Sequence, residues 1–473
     1  MNVVLICLDT YRADCVAAAG RNPVIKTPNL DRLVREGVLF DNAFGEGQPT
    51  IQFRRALCTG MRAFPFTGDY DTIGCWPPNA GWHKIAPEQP TLAETLLAGG
   101  YATGLCADTY HMFKPTMNFT RGIASWDFIR GQESDNYHTG PLSALDLSKY
   151  TKKGVVEPHY IHIQYLLNVA GRQGEMDYLP AKVFTSAIRY VNDNKENRPF
   201  FLWVDCFDPH EPFDPPAEYA NMYDPDWDEG WEPIHGVHDE ADEKLRRRVK
   251  ALYYGSCTFV DKQIGRLLGA LEGAKLLEET LLLVCSDHGL ELWDHGALHK
   301  NVNKCKYRPN NEILALMRFP GKKHAGKRIK GFIQNQDFFP TLLKLLGVAH
   351  QPVDGTDFMP LVEGKTKSVH DHVVTGWSGG GSGIYACVRT LKWNYSCNPY
   401  VDEAKRDEML FDLGADPGET KNVAAKNLKV VADCRRRLEE FLGEKLPATR
   451  RVVIHTYDAP VKIWTKNASW AKL

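Results

Sequence analysis

Three short apolar runs that end in acidic or histidine residues constrain this chain more than any other feature. The runs are residues 3–8, 199–205 and 280–286. Short stretches rich in Val, Ile, Leu and Phe are typical of parallel strands that are buried on both faces. The polar residues that end or follow them are Asp9, Asp205, Asp208, His210, Asp287 and His288. Because ligands bind beyond the carboxyl ends of parallel strands, we expect these side chains to converge at one edge of a sheet.

Helical patterns separate the apolar runs. Residues 28–36 follow Thr27, a typical N-cap, begin with proline and end before a glycine. Thr91 and Glu94 have the spacing of a capping box for a helix over 92–98, which precedes a strand-like run. Further helices are predicted over 178–192 and 245–271. Strands that alternate with helices predict an α/β fold, with a large, mainly parallel sheet sandwiched by helices.

The character of the chain changes after about residue 365. The features beyond this point are a glycine cluster at 376–383, strand-like runs at 385–388 and 392–395, and a basic amphipathic helix near 428–442. We therefore predict a large domain over 1–365 and a smaller domain over 366–473. Residues 221–243, rich in Asp, Glu, Trp and Pro, predict a long surface loop that can act as a lid.

Charge and cysteine usage exclude several classes of function. The 57 basic and 59 acidic residues give a net charge of -2, which does not favour nucleic acid or an anionic membrane as a partner. No uncharged apolar run approaches the ~20 residues that span a bilayer. The 12 cysteines show no CxxC pair, and residues 3–8 lack the flanks of a signal peptide. We expect a reducing, cytoplasmic location.

Two groups of residues carry candidate chemistry. Asp9, Asp287 and His288 offer two carboxylates and an imidazole, which suit a divalent cation such as Mn²⁺, Zn²⁺ or Mg²⁺. Each of them alone is equally typical of a helix cap or a solvated loop, but the joint occurrence favours a metal site. Thr50 begins a predicted helix, with Arg54 one turn later on the same face. A helix N-terminus and a guanidinium together suit a tetrahedral oxyanion.

Several motifs, in this order, resemble those of sulfatases and related members of the alkaline phosphatase superfamily. They are residues 8–14 (LDTYRAD), 49–60, 286–289 (SDHG) with 294–296 and Lys300, 336–343 (QDFFPTLL) and 413–423 (LGADPGETKNV). The resemblance spans nearly the whole chain. It implies an α/β catalytic domain and a C-terminal α+β domain with a four-stranded antiparallel sheet and a helix. It also implies a metal ion and a nucleophile at Thr50, with the metal near Asp9, Thr10, Thr50, Asp287 and His288.

The nucleophile departs from the sulfatase pattern. Sulfatases oxidise a Cys or Ser, four residues before an Arg, to formylglycine, whereas this chain has Thr50 four residues before Arg54. Cys58 stands four residues before another arginine, but that register lacks the Pro or Ala of the motif, so we reject it. Formylglycine releases sulfate by reverting to an aldehyde, which Thr cannot do. A phosphothreonine can be opened by water at phosphorus, so we expect phosphoryl or phosphonyl ester chemistry.

The resemblance also assigns residues to the substrate. Lys300 matches a lysine that contacts the non-bridging oxygens, and His210 matches a histidine that protonates the leaving group. Around Asp108, Thr109 and His111 the family usually shows a Lys-Trp-His element, of which only the histidine is retained. We expect these three residues to contact the substrate, with Asp108 binding an amine or a hydroxyl because it would repel an anion.

These observations predict an ester hydrolase with one divalent metal ion, Mn²⁺ in the first place and Zn²⁺, Ca²⁺ or Mg²⁺ as alternatives. A second ion would need further carboxylates and imidazoles near Thr50, and the nearby choices are Asp205, Asp208, His210 and His295. We expect a small anionic substrate, a phosphodiester or phosphonate monoester, and allow for a homo-oligomer. The alternatives are a sulfatase with an unusual nucleophile, a phosphoryl transferase that uses an alcohol acceptor, and a noncatalytic anion-binding protein.

Overall fold

A computed structural model gives the fold of the chain. It describes residues 1–66, 68–69, 79–114, 116–300, 306–379, 383–449 and 452–453. Two of these segments, 68–69 and 452–453, are described by their backbone alone. Two parts of the predicted second domain lie outside the described residues. They are residues 380–382 of the predicted glycine cluster and, beyond residue 449, residues 450–451 and 454–473.

The described strands are numbered in chain order. They are β1 (Asn2–Leu8), β2 (Val38–Phe40), β3 (Ala43–Phe44), β4 (Gly47–Gln48), β5 (Gly68–Asp69), β6 (Ala102–Ala107), β7 (Ser125–Phe128), β8 (Phe200–Cys206), β9 (Thr280–Ser286), β10 (Glu291–Leu292), β11 (Leu298–His299), β12 (Ala315–Arg318), β13 (Lys327–Ile329), β14 (Ile333–Gln334), β15 (Val373–Ser378), β16 (Ile384–Arg389), β17 (Trp393–Cys397), β18 (Met409–Asp412) and β19 (Val452–Val453).

The described α-helices follow the same numbering. They are α1 (Pro28–Glu36), α2 (Thr50–Thr59), α3 (Leu92–Ala98), α4 (Tyr160–Val169), α5 (Leu179–Asn194), α6 (Ala217–Asn221), α7 (Glu243–Gly273), α8 (Arg308–Asn311), α9 (Phe338–Leu346), α10 (Met359–Val362) and α11 (Leu428–Leu442). The capping box predicted at the start of α3 is confirmed, because Thr91 accepts a hydrogen bond from the Glu94 N–H and Glu94 accepts one from the Thr91 N–H. The predicted helix over 428–442 is also confirmed.

The main sheet is built around the three predicted strands, in the order β13-β2-β12-β9-β1-β8-β6-β7. Leu8, at the end of β1, lies opposite Ser286 of β9 and Cys206 of β8, so the three strands end level with one another. β12 runs antiparallel to both of its neighbours, while the other strands share one direction. The mainly parallel sheet is therefore confirmed, with one antiparallel strand that the sequence pattern did not reveal.

Helices cover both faces of this sheet. Even-numbered residues of β1, from 4 to 8, belong to a core with α1, α5 and α7. Odd-numbered residues, from 3 to 7, belong to a core with α2, α3 and α9. Because successive side chains of a strand point to opposite faces, burial on both sides requires a continuous apolar run. This explains why residues 3–8 show no polar alternation.

A second sheet lies in the C-terminal part. β15, β16, β17 and β18 form the antiparallel four-stranded sheet that the resemblance implied, and α11 packs on it through Val431, Cys434 and Leu438. A fifth strand, β4, pairs in parallel with β15. Since β4 ends two residues before Thr50, the second sheet holds the segment that leads into α2. The predicted boundary at residue 365 falls between α10 and β15.

Two local predictions need correction. Thr27 does not cap α1 with its side chain; its Oγ1 instead accepts from the Ala17 N–H and donates to Asp31. The segment over 221–243 is not a free surface loop, because Ile234 within it is fully buried and accepts a backbone hydrogen bond from Phe213. The apolar residues dispersed among its charges pack into the core beside α7.

Within the described residues, no helix combines the length and the apolar character needed to cross a membrane. The ten described cysteines are all free thiols and all buried.

Candidate active site at the strand ends

A cavity of about 300 Å³ adjoins the first turn of α2. Its walls are formed by Pro49, Thr50, Asn79, Trp82, His111, Glu133, Tyr160, Ile161, His210, Glu211, Lys300, Trp377, Ser378 and Gly379. Four of the predicted site residues are among them. A larger cavity of about 830 Å³, between α3 and the end of α9, contains none of the predicted site residues. The smaller cavity is therefore the candidate active site, because it contains predicted site residues and the larger one does not.

Asp9, Asp287 and His288 are brought together as the sequence predicted. All three are fully buried, and one ligand atom of each lies within 4.8 Å of the others. His288 Nε2 is 3.9 Å from Asp9 Oδ1 and 3.7 Å from Asp287 Oδ2. These distances are too long for hydrogen bonds. They do match the separation of roughly 3 to 4 Å between atoms that bind one ion at about 2.0–2.3 Å.

The hydrogen bonds of His288 leave one nitrogen for a ligand role. Nδ1 lies 2.8 Å from the Gly289 carbonyl, so it carries the proton and donates it. Burial lowers the pKa of His288 to about 4, and the ring is therefore neutral with a lone pair on Nε2. That buried nitrogen has no hydrogen-bond partner in the part of the chain that the structure describes, and neither does Asp9 Oδ2. The trio thus fits a divalent cation.

Electrostatics at Asp9 agree with this assignment. Burial, together with the negative charge of Asp287, raises the pKa of Asp9. Two buried carboxylates at such short range destabilise each other's charge, and Arg54, which contacts both, offsets this only in part. An ion bound by this trio would remove that repulsion.

Arg54 lies beneath the cavity instead of on its wall. Its Nη1 contacts Asp287 Oδ2 at 2.8 Å and Asp9 Oδ2 at 3.2 Å, and its Nε donates to Asp205 at 2.9 Å. The same Nη1 donates to the Thr50 carbonyl at 3.1 Å. Among the described residues, only Nη2 of this buried guanidinium lacks a hydrogen-bond partner. The predicted oxyanion fork is thus mostly occupied by carboxylates, and its remaining nitrogen is buried beneath the cavity.

Thr10 adopts an unusual backbone conformation. Its φ of 59° places a β-branched residue in the left-handed region, which is a strained state. The conformation lets its N–H donate to Asp287 Oδ1 at 2.9 Å, while its hydroxyl donates to Asp9 Oδ1 at 2.7 Å. Thr10, which the resemblance places near the metal, therefore orients both carboxylates.

Thr50 is the first residue of α2 and lines the cavity. The N–H groups of a first helical turn are not used inside the helix, and their partial positive charge favours an anion beside Thr50. Gln48, which precedes it in β4, donates from Nε2 to the Asp287 carbonyl at 3.1 Å. Gln48, which no sequence motif singles out, thus connects the segment before the nucleophile candidate to the metal-binding loop.

Lys300 and His210 both line the cavity, and Glu211 connects them. Lys300 Nζ lies 2.8 and 2.7 Å from the two carboxylate oxygens of Glu211. His210 Nδ1 lies 2.7 Å from the Glu211 carbonyl and donates its proton there. Burial lowers the pKa of His210 to about 4, so its Nε2 carries a lone pair at neutral pH. Sequence reasoning passed over Glu211, although it directly follows His210.

The Glu211 carboxylate stays charged. Burial alone would raise its pKa, but its interactions with His210, Lys300 and His299 lower the pKa well below the usual range. Lys300 reaches the metal-binding group as well, with Nζ 3.3 Å from Thr10 Oγ1. The ammonium group is therefore held between Glu211 and Thr10 at the cavity wall.

Of the three residues predicted to contact the substrate, the structure places only His111 at the cavity. His111 lines the cavity. Asp108 and Thr109 do not line it and are fully buried. Asp108 accepts from the Phe207 N–H and from Gln132 Nε2, and Thr109 donates to Asp205 Oδ1. The prediction that Asp108 and Thr109 contact the substrate directly is therefore corrected. Thr109 supports the carboxylate that holds Arg54, and Asp108 turns toward Asp208.

His295, considered for a second ion, lies elsewhere. Its Nδ1 is 3.0 Å from Glu291 Oε2 and its Nε2 is 2.8 Å from the Gly418 carbonyl. Asp205 is engaged by Arg54, Thr109 and Trp203. Neither residue joins the trio described above.

Comparison with known proteins places these motifs in a family. A model of the sulfatase family matches residues 1–348, and a model described as N-sulphoglucosamine sulphohydrolase, C-terminal, matches residues 295–445. The chain is 29% identical over 453 residues to an arylsulfatase of Clostridium perfringens, covering 89% of this chain and 90% of that protein. It is 26% identical over 531 residues to the multifunctional alkaline phosphatase superfamily protein PehA of Trinickia caryophylli, covering 98% and 99%.

A solved structure shares the fold. The crystal structure of a phosphonate monoester hydrolase of Agrobacterium radiobacter superimposes with a TM-score of 0.72 at 21% sequence identity. The match covers 93% of this chain and 95% of that one.

Proposed function

The chain belongs to the sulfatase family of hydrolases, and from the residues of its cavity we propose that it cleaves phosphodiesters or phosphonate monoesters through a covalent intermediate on Thr50. Both substrates carry a single negative charge on the reacting group. The observation that carries the proposal is the ion pair between Glu211 and Lys300, because it sets the charge that the cavity offers to an anion.

The charge balance is as follows. Two cationic side chains, Arg54 and Lys300, face four carboxylates, so the group carries a net charge of -2 when all are ionised. The four carboxylates belong to Asp9, Asp205, Asp287 and Glu211. One divalent cation brings this group to zero, while Glu133 on the same cavity wall adds a negative charge where it is ionised. A site without excess positive charge binds a monoanion with less repulsion than a dianion, which needs additional positive charge.

The position of Thr50 supports a phosphoryl or phosphonyl ester as the substrate. It lines the cavity, whose wall residue Trp377 packs against His288 of the metal-binding trio, whereas Cys58 packs in the apolar core and does not line the cavity. Burial raises the pKa of the Cys58 thiol, so it stays protonated and is not a nucleophile. The intermediate on a threonine is opened by attack at phosphorus, which restores the hydroxyl.

Two displacements at phosphorus complete the reaction. Thr50 Oγ first bonds to phosphorus while one ester oxygen leaves as the alcohol, and water then displaces Thr50 from phosphorus. His210 Nε2 accepts a proton from the attacking oxygen and returns one to the leaving oxygen, as its neutral state requires. Lys300 lines the cavity and would neutralise charge on the non-bridging oxygens, while Arg54, buried beneath the cavity, would add a positive field.

We assign the metal ion to the trio of Asp9, Asp287 and His288, whose carboxylates are oriented by Thr10, and propose Thr50 as its neighbouring nucleophile. A divalent cation bound there supplies positive charge that favours ionisation of a hydroxyl nucleophile and neutralises phosphoryl oxygens. Two carboxylates and a single imidazole suit Mn²⁺, and this is the ion that we propose.

Substrates that share one leaving group test the proposal. We would measure kcat/KM for p-nitrophenyl esters of sulfate, phosphate, phenylphosphonate and for bis(p-nitrophenyl) phosphate, each with Mn²⁺ and with chelator. The diester and the phosphonate should be hydrolysed with the highest kcat/KM, and chelator should abolish the activity. A preference for the phosphate monoester or for the sulfate would contradict the proposal.

A sulfate ester is the second candidate substrate. The relatives support it, since the Clostridium perfringens protein named above is an arylsulfatase. Sulfate monoesters also carry one negative charge, so the charge of the cavity accommodates them as well. The two candidates differ at Thr50, because a sulfated threonine must be opened by water at sulfur. Accumulation of a sulfated protein during turnover of p-nitrophenyl sulfate would mark that route.

A further inference from the structure

One carboxylate of the cavity has no cationic partner. Glu133 lies on the wall next to His111, whose Nε2 is 3.9 Å away. Across the described part of the chain, no lysine or arginine nitrogen lies within 4.0 Å of Glu133, whereas Glu211 is neutralised by Lys300. Its Oε2 accepts a hydrogen bond from the Tyr110 hydroxyl at 2.5 Å, which fixes the carboxylate without neutralising it.

The electrostatics show that the charged form of Glu133 is stabilised only in part, by the Tyr110 hydroxyl and the field of Lys300. Burial raises the pKa of Glu133 to about 7, and the negative field of Glu211 adds to the effect. A buried carboxylate with a raised pKa lacks the cation that would stabilise its charged form. A positive group bound in the cavity would supply that stabilisation.

Aromatic rings complete the environment of this carboxylate. Trp82, Tyr160 and Trp377 line the same cavity. Trp82 packs edge-on against His111 at a centroid distance of 4.9 Å, so it belongs to the wall that carries Glu133. Aromatic faces attract alkylammonium groups, most strongly where water is excluded.

From this arrangement we propose that the cavity binds an alkylammonium group of the substrate, held by Glu133 and the aromatic wall of Trp82, Tyr160 and Trp377. The substrate class is then a zwitterionic ester, with a phosphoryl monoanion at Thr50 and an ammonium group on the same small molecule. The inference rests on the proposed function for the phosphoryl half of this ligand. A volume of about 300 Å³ accommodates an ester of that size.

A neutral hydroxyl compound is the competing ligand, because carboxylates and aromatic rings also bind sugars. A hydroxyl donor would leave the charge of Glu133 uncompensated inside the cavity, whereas an ammonium group neutralises it. The difference between the two ligands is therefore the charge, and the test must vary the charge alone.

Two p-nitrophenyl phosphodiesters of matched shape provide that test. One carries a choline arm and the other a neohexyl arm, in which a tert-butyl group replaces the trimethylammonium group. We expect kcat/KM to be about tenfold or more higher for the choline ester in the wild-type protein. Equal values for the two esters would overturn the proposal.

Two variants separate charge from structure. Glu133→Gln keeps an acceptor for the Tyr110 hydroxyl and removes the charge, so the choline preference should fall about tenfold. Tyr110→Phe removes the hydrogen bond and keeps the carboxylate, so the preference should persist. A preference that survives Glu133→Gln, in protein with an unchanged melting temperature, would refute the assignment.

A binding measurement without turnover distinguishes failure of the ammonium site from failure of the proposed function. Binding of choline chloride to the Thr50→Ala protein, followed by calorimetry, reports the ammonium site alone. Binding that is lost in the Thr50→Ala/Glu133→Gln double variant supports the site even if no phosphodiester is hydrolysed. Absence of choline binding, with active hydrolysis of both phosphodiesters at equal rates, would reject the ammonium site and leave the proposed function intact.

Discussion

Two groups of buried acids occupy the same edge of the main sheet, and their surroundings differ. Asp9 and Asp287, with His288, follow β1 and β9; Asp108 and Asp208, with Cys206, lie at the ends of β6 and β8. Each group has the composition and the spacing of a metal site. Composition alone therefore cannot separate them.

Hydrogen bonding separates the two groups. In the first, His288 Nε2 and Asp9 Oδ2 have no hydrogen-bond partner among the described residues. In the second, Gln132 Nε2 donates to Asp108 at 2.8 Å and to Asp208 at 2.6 Å, and the Phe207 N–H donates to Asp108. Neutral amide donors satisfy the second group without a cation.

In the second group, protonation of Asp108 and Asp208 neutralises the carboxylates in place of a metal ion. Burial and the charge of Asp208 raise the pKa of Asp108 well above its usual value, and burial raises the pKa of Asp208 to about 7. A buried acid that lacks a cation becomes neutral by binding a proton. The comparison teaches that unpartnered ligand atoms, more than the number of acidic residues, identify the metal site.

The largest expected effect comes from replacing one aspartate of each group by asparagine. Asp287→Asn should remove the bound metal ion and reduce kcat/KM at least ~100-fold, because a charged ligand is lost. Asp108→Asn should leave the metal content unchanged, since an amide oxygen can accept the bonds of Gln132 and Phe207. Metal content by plasma mass spectrometry checks both. Equal metal loss in the two variants would break the comparison.

A smaller effect is expected at Glu211, the carboxylate that adjoins the first group. Glu211→Gln leaves the charge of Lys300 uncompensated, which favours a dianion over a monoanion. The ratio of kcat/KM for p-nitrophenyl phosphate to that for bis(p-nitrophenyl) phosphate should rise about tenfold. Glu36→Gln, at a carboxylate that pairs with Arg318 outside the cavity, is the matched control and should leave the ratio unchanged.

The last prediction concerns the pH dependence of stability. The pKa of Asp208 rises from 3.8 to about 7 on folding, so the folded state binds an additional proton between these values. Stability is therefore greatest below pH 4 for this group and is lost as the pH rises toward 7. Asp208→Asn should remove this loss and stabilise the protein at pH 8, relative to pH 4, by about 1 to 3 kcal/mol.

Urea unfolding of the wild-type protein and of the Asp208→Asn variant, each at pH 4 and pH 8, measures that difference. The result that contradicts the account is a wild-type pH dependence that is retained in the variant. The first group provides no such test, because a metal ion would dominate its titration.

The sequence predicted the parts of the site that follow buried strands. Asp9, Asp287 and His288 were found because β1 and β9 are continuous apolar runs and parallel neighbours end together. Asp108 was placed at the substrate because residues 108–111 match the position of a family substrate-binding element, but its side chain turns toward Gln132 and Phe207. Glu133 and Trp377 carry no local signal; Trp377 reaches the cavity because β15 pairs with β4, a contact between distant parts of the chain.

The central claim is that Thr50 forms a bond to phosphorus. The most direct test is intact-protein and peptide mass spectrometry after rapid acid quench during turnover of bis(p-nitrophenyl) phosphate. We predict a p-nitrophenyl phosphoryl adduct on Thr50 that disappears as the substrate is consumed and does not form in Thr50→Ala. Undiminished turnover by the Thr50→Ala protein, or an adduct on a different residue, would contradict the account.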